Sequence, residues 1–224
     1  MKQLTTTELA EYIDENEILY GRVGRPEVML TPDGKIVKCF YPRKKLSTST
    51  FLPQAKRFSI NARKLRDRNI PAPIVDEVLY CKAIPVHLIV YSWMDGEDLR
   101  FLCSNGHIAC LSDLPAFLAH LHKQGIYFRA IHLGNLLRQK DDTLAILDMS
   151  DLRTQPYRLG AFQRARNLAH LINRREDKAY FVSYGIDRFI KEYIDCCQAS
   201  HQQEWLLRKR LYFGLDRDLR HLLA

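Results

Sequence analysis

Phe128-Arg129-Ala130-Ile131-His132-Leu133-Gly134-Asn135-Leu136-Leu137 is a polar loop built on His, Gly and Asn that runs into an apolar pair. Thirteen residues past Asn135, the apolar segment Leu144-Ala145-Ile146-Leu147 ends on Asp148, and Asp151 follows three residues later. An amide oxygen and a carboxylate are hard donors of the kind magnesium accepts. A carboxylate at the end of a buried-type strand is fixed on rigid structure. An aspartate after an apolar strand is by itself more often a turn residue than a ligand. The asparagine loop at hairpin distance upstream makes Asn135 and Asp148 a candidate metal pair.

The surrounding chain has 224 residues, enough for one domain or two small lobes. No apolar run approaches the roughly 20 residues that span a bilayer. The start, Met1-Lys2-Gln3-Leu4-Thr5, lacks the apolar core of a signal peptide. The six cysteines show no CxxC spacing, which predicts a reduced, cytosolic protein without a zinc site. The net charge of +8 favours polyanionic partners, with denser basic patches at 43–45, 56–68, 153–175 and 208–220. Such faces are usually only solvated, so charge supports an anionic ligand without choosing one. The chain has no zinc-finger spacing and no aromatic RNA-binding signature, and no nucleic-acid partner is expected.

Thr5, Thr6 or Thr7 caps a predicted helix through about Asn16, with Glu8 and Glu11 in its first turns. Extended segments follow at 18–24, 28–30 and 36–41. Thr31-Pro32-Asp33-Gly34 joins the last two as a hairpin turn, Pro presetting φ and Gly tolerating positive φ. Residues 43–50 read as a loop. From Leu52 to Arg68, apolar residues at 55, 58, 62 and 65 keep helical spacing, ending before Asn69-Ile70-Pro71. Two strands, 75–81 and 86–93, precede the break at Asp95-Gly96. Helices are predicted over 111–124, 160–172, 179–197 and 202–223, with short strands around a loop at 126–148. The reading is α+β, with a β-rich lobe over 1–94, a helical lobe over 95–224 and a cleft between them.

The loop resembles that of the protein-kinase-like superfamily, particularly aminoglycoside-phosphotransferase-type kinases and bacterial lipopolysaccharide-core kinases. Their pattern, His-Gly-Asp-Leu-His-Pro-Gly-Asn-Ile-Leu, is matched at His132, Gly134, Asn135 and the trailing apolar pair, over a resemblance spanning roughly residues 18–175. It implies a two-lobed kinase-like fold using ATP and magnesium, with Asn135 and Asp148 as metal ligands. Lys38 resembles the strand lysine that pairs with nucleotide phosphates, the bland alternative being a lysine snorkelling from an edge strand. Gly21 and Gly24 resemble a shortened phosphate-covering loop, and Tyr91 to Met94 the segment that meets adenine.

Two departures stand out. The position of the family's catalytic Asp is Ala130, whose methyl group accepts no proton, and the preceding His is Phe128. The helix Glu that pairs with the lysine falls at Asn61, which carries no charge. His132 is a candidate replacement base or a buttress of the loop. Asp151 is a candidate substitute carboxylate, a cap, or a partner of Arg129 or Arg153. The resemblance therefore implies either a cytoplasmic kinase phosphorylating a sugar hydroxyl of an anionic glycolipid or phosphorylated sugar, in peripheral contact with the inner membrane, or a pseudokinase regulating envelope biogenesis. Arg164, Arg166, Arg174 and Arg175 are candidates for the substrate's anionic groups.

Overall fold

The computed structural model describes residues 1–42 and 53–223. The expected loop at 43–50, with its basic triplet Arg43-Lys44-Lys45, and the expected helix start at Leu52 lie outside them. The architecture is α+β, a sheet-rich first part followed by a helical second part. The chain forms two compact units, Met1–Met94 with Met149–Asp151, and Asp95–Asp148 with Leu152–Ala224.

The first unit holds a six-stranded sheet. Its strands are β1 (Lys2–Leu4), β2 (Glu17–Arg22), β3 (Arg25–Leu30), β4 (Lys35–Phe40), β5 (Val75–Cys81) and β6 (Val86–Ser92), in the order β1-β5-β6-β4-β3-β2. Only β1 pairs in parallel, Lys2 to Leu4 lying opposite Leu79 to Cys81. Three residues are too few to show a period, so β1 was not legible in the sequence. Helix α1 (Thr6–Asp14) starts with the capping box, Thr5 and Glu8 each satisfying the other's backbone N–H, an arrangement worth about 1 kcal/mol. Leu9 of α1 joins Met29, Val37, Cys39, Leu79, Leu88 and Val90 in one buried cluster. Val37 and Cys39 alternate with Ile36, Lys38 and Phe40 along β4, which therefore point to the opposite face. That face carries α2 (Gln54–Arg66), whose fully buried Phe58 stacks on Tyr91 at 5.4 Å and meets Phe40 at 6.3 Å.

In the second unit, a two-residue strand β7 (Glu97–Asp98) leads into α3 (Leu99–Ser104), capped by the Asp98 carboxylate on the Phe101 N–H at 3.0 Å. A 3₁₀ segment (Ile108–Asp113) precedes α4 (Leu114–Lys123), so the helix predicted from Leu111 starts three residues later. Strands β8 (Ile126–Phe128), β9 (Leu136–Arg138), β10 (Leu144–Ile146) and β11 (Leu152–Thr154) form two small sheets, β10-β9-β7 and β11-β8. Helices α5 (Ala161–Ile172), α6 (Lys178–Tyr184), α7 (Ile186–Cys197) and α8 (His201–Gly214) follow, with a 3₁₀ segment (Arg217–Leu222) after them. The single helix predicted over 179–197 is two helices because Gly185 adopts φ +98°, which ends the first. The helix predicted over 202–223 likewise stops at Gly214. Asn173 holds that end, donating to the Gly214 carbonyl at 2.9 Å and accepting from the Asp216 N–H at 3.0 Å. All six cysteines are free thiols; the buried Cys103 and Cys110 sulfurs lie 3.5 Å apart.

Candidate functional site

Lys38 sits on the α2 face of β4, an interior strand flanked by β3 and β6, with Val28 and Ile89 as its lateral neighbours. The edge-strand alternative is thus excluded. Its ammonium stands 5.7 Å from the centroid of Phe40, and the side chain is half-buried. A lysine held there presents a fixed cation on stems that the sheet orders. Asn61 is buried on α2 and donates from Nδ2 to the Met149 carbonyl at 2.7 Å. It pins the residue that follows Asp148, a role the sequence did not suggest.

Gly21 and Gly24 lie in the β2–β3 hairpin, where Arg22 pairs with Arg25. Gly21 has φ +107°, and a Cβ there would meet the Glu27 nitrogen at 2.6 Å. Gly24 has φ +80° in the turn. Backbone geometry alone accounts for both glycines. Asp151, expected to pair with Arg129 or Arg153 if it paired at all, has Arg57 of α2 at 3.7 Å instead. That half-exposed contact contributes little stability.

The loop at 128–137 in the second unit is built around a buried charge. Asp177, fully buried, accepts from the Leu133 N–H at 2.8 Å and from the Arg100 guanidinium at 2.6 and 3.2 Å. The same guanidinium reaches Nδ1 of His132 at 3.3 Å. A guanidinium has no lone pair to offer, so Nδ1 is the accepting nitrogen and Nε2 carries the proton. Burial first, and then the Arg100 charge, push the His132 pKa below the ordinary imidazole value. His132 is therefore neutral, with its basic nitrogen already engaged. Of its two readings, this geometry supports the buttress of the loop. The sequence did not single out Arg100 or Asp177, since Arg174-Arg175-Glu176-Asp177-Lys178 reads as a solvated charged turn.

Asn135 ends the short 3₁₀ turn 133–135. Its Nδ2 donates to the Ala130 carbonyl at 3.1 Å, and the amide oxygen Oδ1 is the acceptor of that side chain. Its own carbonyl accepts the Leu147 N–H at 3.0 Å, tying the loop to the strand end that carries the half-buried Asp148. The Asp148 charge acts on His132, opposing part of its pKa depression. Two hard oxygen groups on adjoining, backbone-linked segments fit magnesium, which commonly takes one or two protein ligands and fills the rest with phosphate and water. Among the described residues no group of three or more His, Cys, Asp or Glu could hold a metal by itself.

Beneath the loop runs a second buried network. Asn167 donates to the Phe128 carbonyl at 2.7 Å and accepts from His122 Nε2 at 3.0 Å, while Tyr193 donates to His122 Nδ1 at 2.7 Å. Phe128 is a fully buried core residue. Burial lowers the His122 pKa to about 4. Protonation therefore favours the unfolded chain, so the stabilisation is present above pH ~6.5 and is lost as pH falls toward 4. The protein is expected to be about 2 kcal/mol less stable at pH 5 than at pH 7 from this group alone. Urea denaturation at the two pH values checks it, and His122→Gln should flatten the difference.

No protein-family model and no curated protein matches the chain. Among solved structures it is similar to WbdD crystallised with the kinase inhibitor LY294002, with TM-score 0.49 and 15% identity, covering 88% of this chain and 45% of that one. It is also similar to a structure of the bifunctional kinase-methyltransferase WbdD, with TM-score 0.43 and 15% identity, covering 82% and 46%. The chain spans less than half the length of either. A likeness of this degree carries neither family membership nor a site.

Of the four arginines expected to meet anionic groups, two are engaged within the fold. Arg164 donates from Nε to the Leu159 carbonyl at 3.0 Å, and Arg174 pairs with Glu176 at 2.8 Å. Arg166 and Arg175 are exposed.

Proposed function

We propose that this chain is a kinase-like phosphotransferase that uses ATP and magnesium to phosphorylate a sugar hydroxyl of an anionic envelope glycolipid. The observation that supports it is the Asn135 arrangement. Its amide nitrogen is held by Ala130, its carbonyl is linked to the strand end before Asp148, and its Oδ1 is left to accept. Asn135 and Asp148 would hold magnesium, which when bound neutralises charge on the nucleotide phosphates. Lys38 is assigned to the phosphates as a fixed cation. The Asp177–Arg100–His132 cluster keeps the loop in place, which supports a reading in which phosphoryl transfer draws mostly on positioning. The substrate class rests on the net charge of +8 and on the loop resemblance.

A second reading, a nucleotide-binding pseudokinase, is favoured by a specific set of observations. Ala130 replaces the base, His132 is engaged by Arg100, and Asp151 is engaged by Arg57. The experiment that separates the two is turnover of ATP on dephosphorylated core glycolipid, measured beside nucleotide binding. Transfer of labelled γ-phosphate to the glycolipid, abolished in Lys38→Ala, is the expected result. Normal nucleotide binding with no transfer to any such acceptor would leave the pseudokinase.

A further inference from the structure

We propose that the face formed by α5 and α8 docks the protein on an anionic bilayer surface. Helix α8 carries Trp205-Leu206-Leu207-Arg208-Lys209-Arg210-Leu211-Tyr212-Phe213, and of its apolar side chains only Leu207 and Leu211 are buried. Trp205 remains 61% exposed, Phe213 65%, and Phe162 on the neighbouring α5 60%. Several large rings this exposed on two adjoining helices call for a partner. Between the two helices runs an open groove of about 430 Å³, lined among others by Phe162, Arg166, His170, Arg210 and Phe213.

Cations interleave with these rings. The Lys209 ammonium stands 4.6 Å over Trp205, the Arg210 guanidinium 5.9 Å over Phe162, and that of Arg220 5.6 Å over Tyr212. Among the described residues, Arg166, Lys209 and Arg210 have no acidic partner. Several acids close to α8 are engaged elsewhere: Glu204 and Asp187 with Arg208, and Asp216 and Asp218 with Lys178. The face is thus both apolar and positive.

A free phosphate would be served by the cations but gives the exposed rings nothing to bury against. A second copy of the same face would set arginine against arginine. An anionic interface takes both features, rings at the level of the headgroups and cations on lipid phosphates. No described helix is long and apolar enough to cross a membrane, so this contact would be peripheral. The proposal deepens the glycolipid reading by placing the partner surface on named residues. It is tested without nucleotide or acceptor, so either reading can fail alone.

The full chain is sedimented with phosphatidylcholine vesicles containing or lacking phosphatidylglycerol. Binding is expected only to the anionic vesicles, weakened by salt, with Trp205 fluorescence blue-shifted in a Trp93→Phe background. Lys209→Glu with Arg210→Glu should lower the partition coefficient about tenfold or more. Phe162→Ser with Phe213→Ser should also lower it, both pairs keeping the wild-type melting temperature. Three results would overturn the proposal: no partition into anionic vesicles, partition indifferent to both pairs, or a solution dimer that protects this face. So would binding of inorganic phosphate or an oligonucleotide through these residues without vesicle binding.

Discussion

Asp177→Ala is expected to destabilise the protein by about 3–5 kcal/mol, the cost of removing one partner from a buried charge pair. The carboxylate is fully buried and satisfies three donors on two residues, the guanidinium of Arg100 and the backbone N–H of Leu133. Without it the guanidinium loses its counter-charge and a buried N–H loses its acceptor. The His132 contact with Arg100 then has nothing to orient it. Asp177→Asn retains an acceptor and should cost less. Arg100→Ala added to Asp177→Ala should cost far less than Arg100→Ala alone, because the two groups act as one unit. Denaturant unfolding of the four variants beside the wild type checks this, and an Asp177→Ala loss under 1 kcal/mol would contradict the buried anchor.

Restoring a carboxylate at position 130 is the second large effect. On the phosphotransferase reading, Ala130→Asp should raise turnover by about 10²–10⁴-fold, the usual contribution of a positioned general base. The backbone there is already fixed, since the Ala130 carbonyl accepts from Asn135 and the flanking Ile131 is buried. Affinity for magnesium and ATP should change only a few-fold, because the substituted atom is neither ligand nor phosphate contact in this assignment. Initial-rate measurements on both proteins separate the effects on rate and binding. An unchanged rate, with activity lost instead in His132→Ala, would mean that the imidazole performs the proton transfer despite Arg100.

The hairpin at Thr31-Pro32-Asp33-Gly34, the helix at 54–66 and the loop at 128–137 were legible because each carries a local signature, turn chemistry, period or motif. Gly185 was visible as a residue but not as a break, since a single glycine inside a helical pattern is often tolerated. What escaped was long-range. Asp177 differs from a solvated acid only in being buried 44 positions away from the loop it holds. Arg100 lies in a helix of six residues, too short to show a period. The identity of Asn61's partner, the Met149 carbonyl 88 positions on, likewise needs the fold. Asn135 and Asp148 could be singled out together because they are close in sequence, whereas the state of His132 depended on a neighbour that no spacing rule would select.

The central claim is that the loop with a missing aspartate still carries a nucleotide–magnesium site. Titration calorimetry of ATP into the purified chain, with magnesium and with chelator, tests it most directly. The account predicts saturable binding that requires magnesium and is lost in Asp148→Asn, with the fold unchanged by circular dichroism. Absence of binding in the wild type, or binding indifferent to both magnesium and Asp148→Asn, would contradict it.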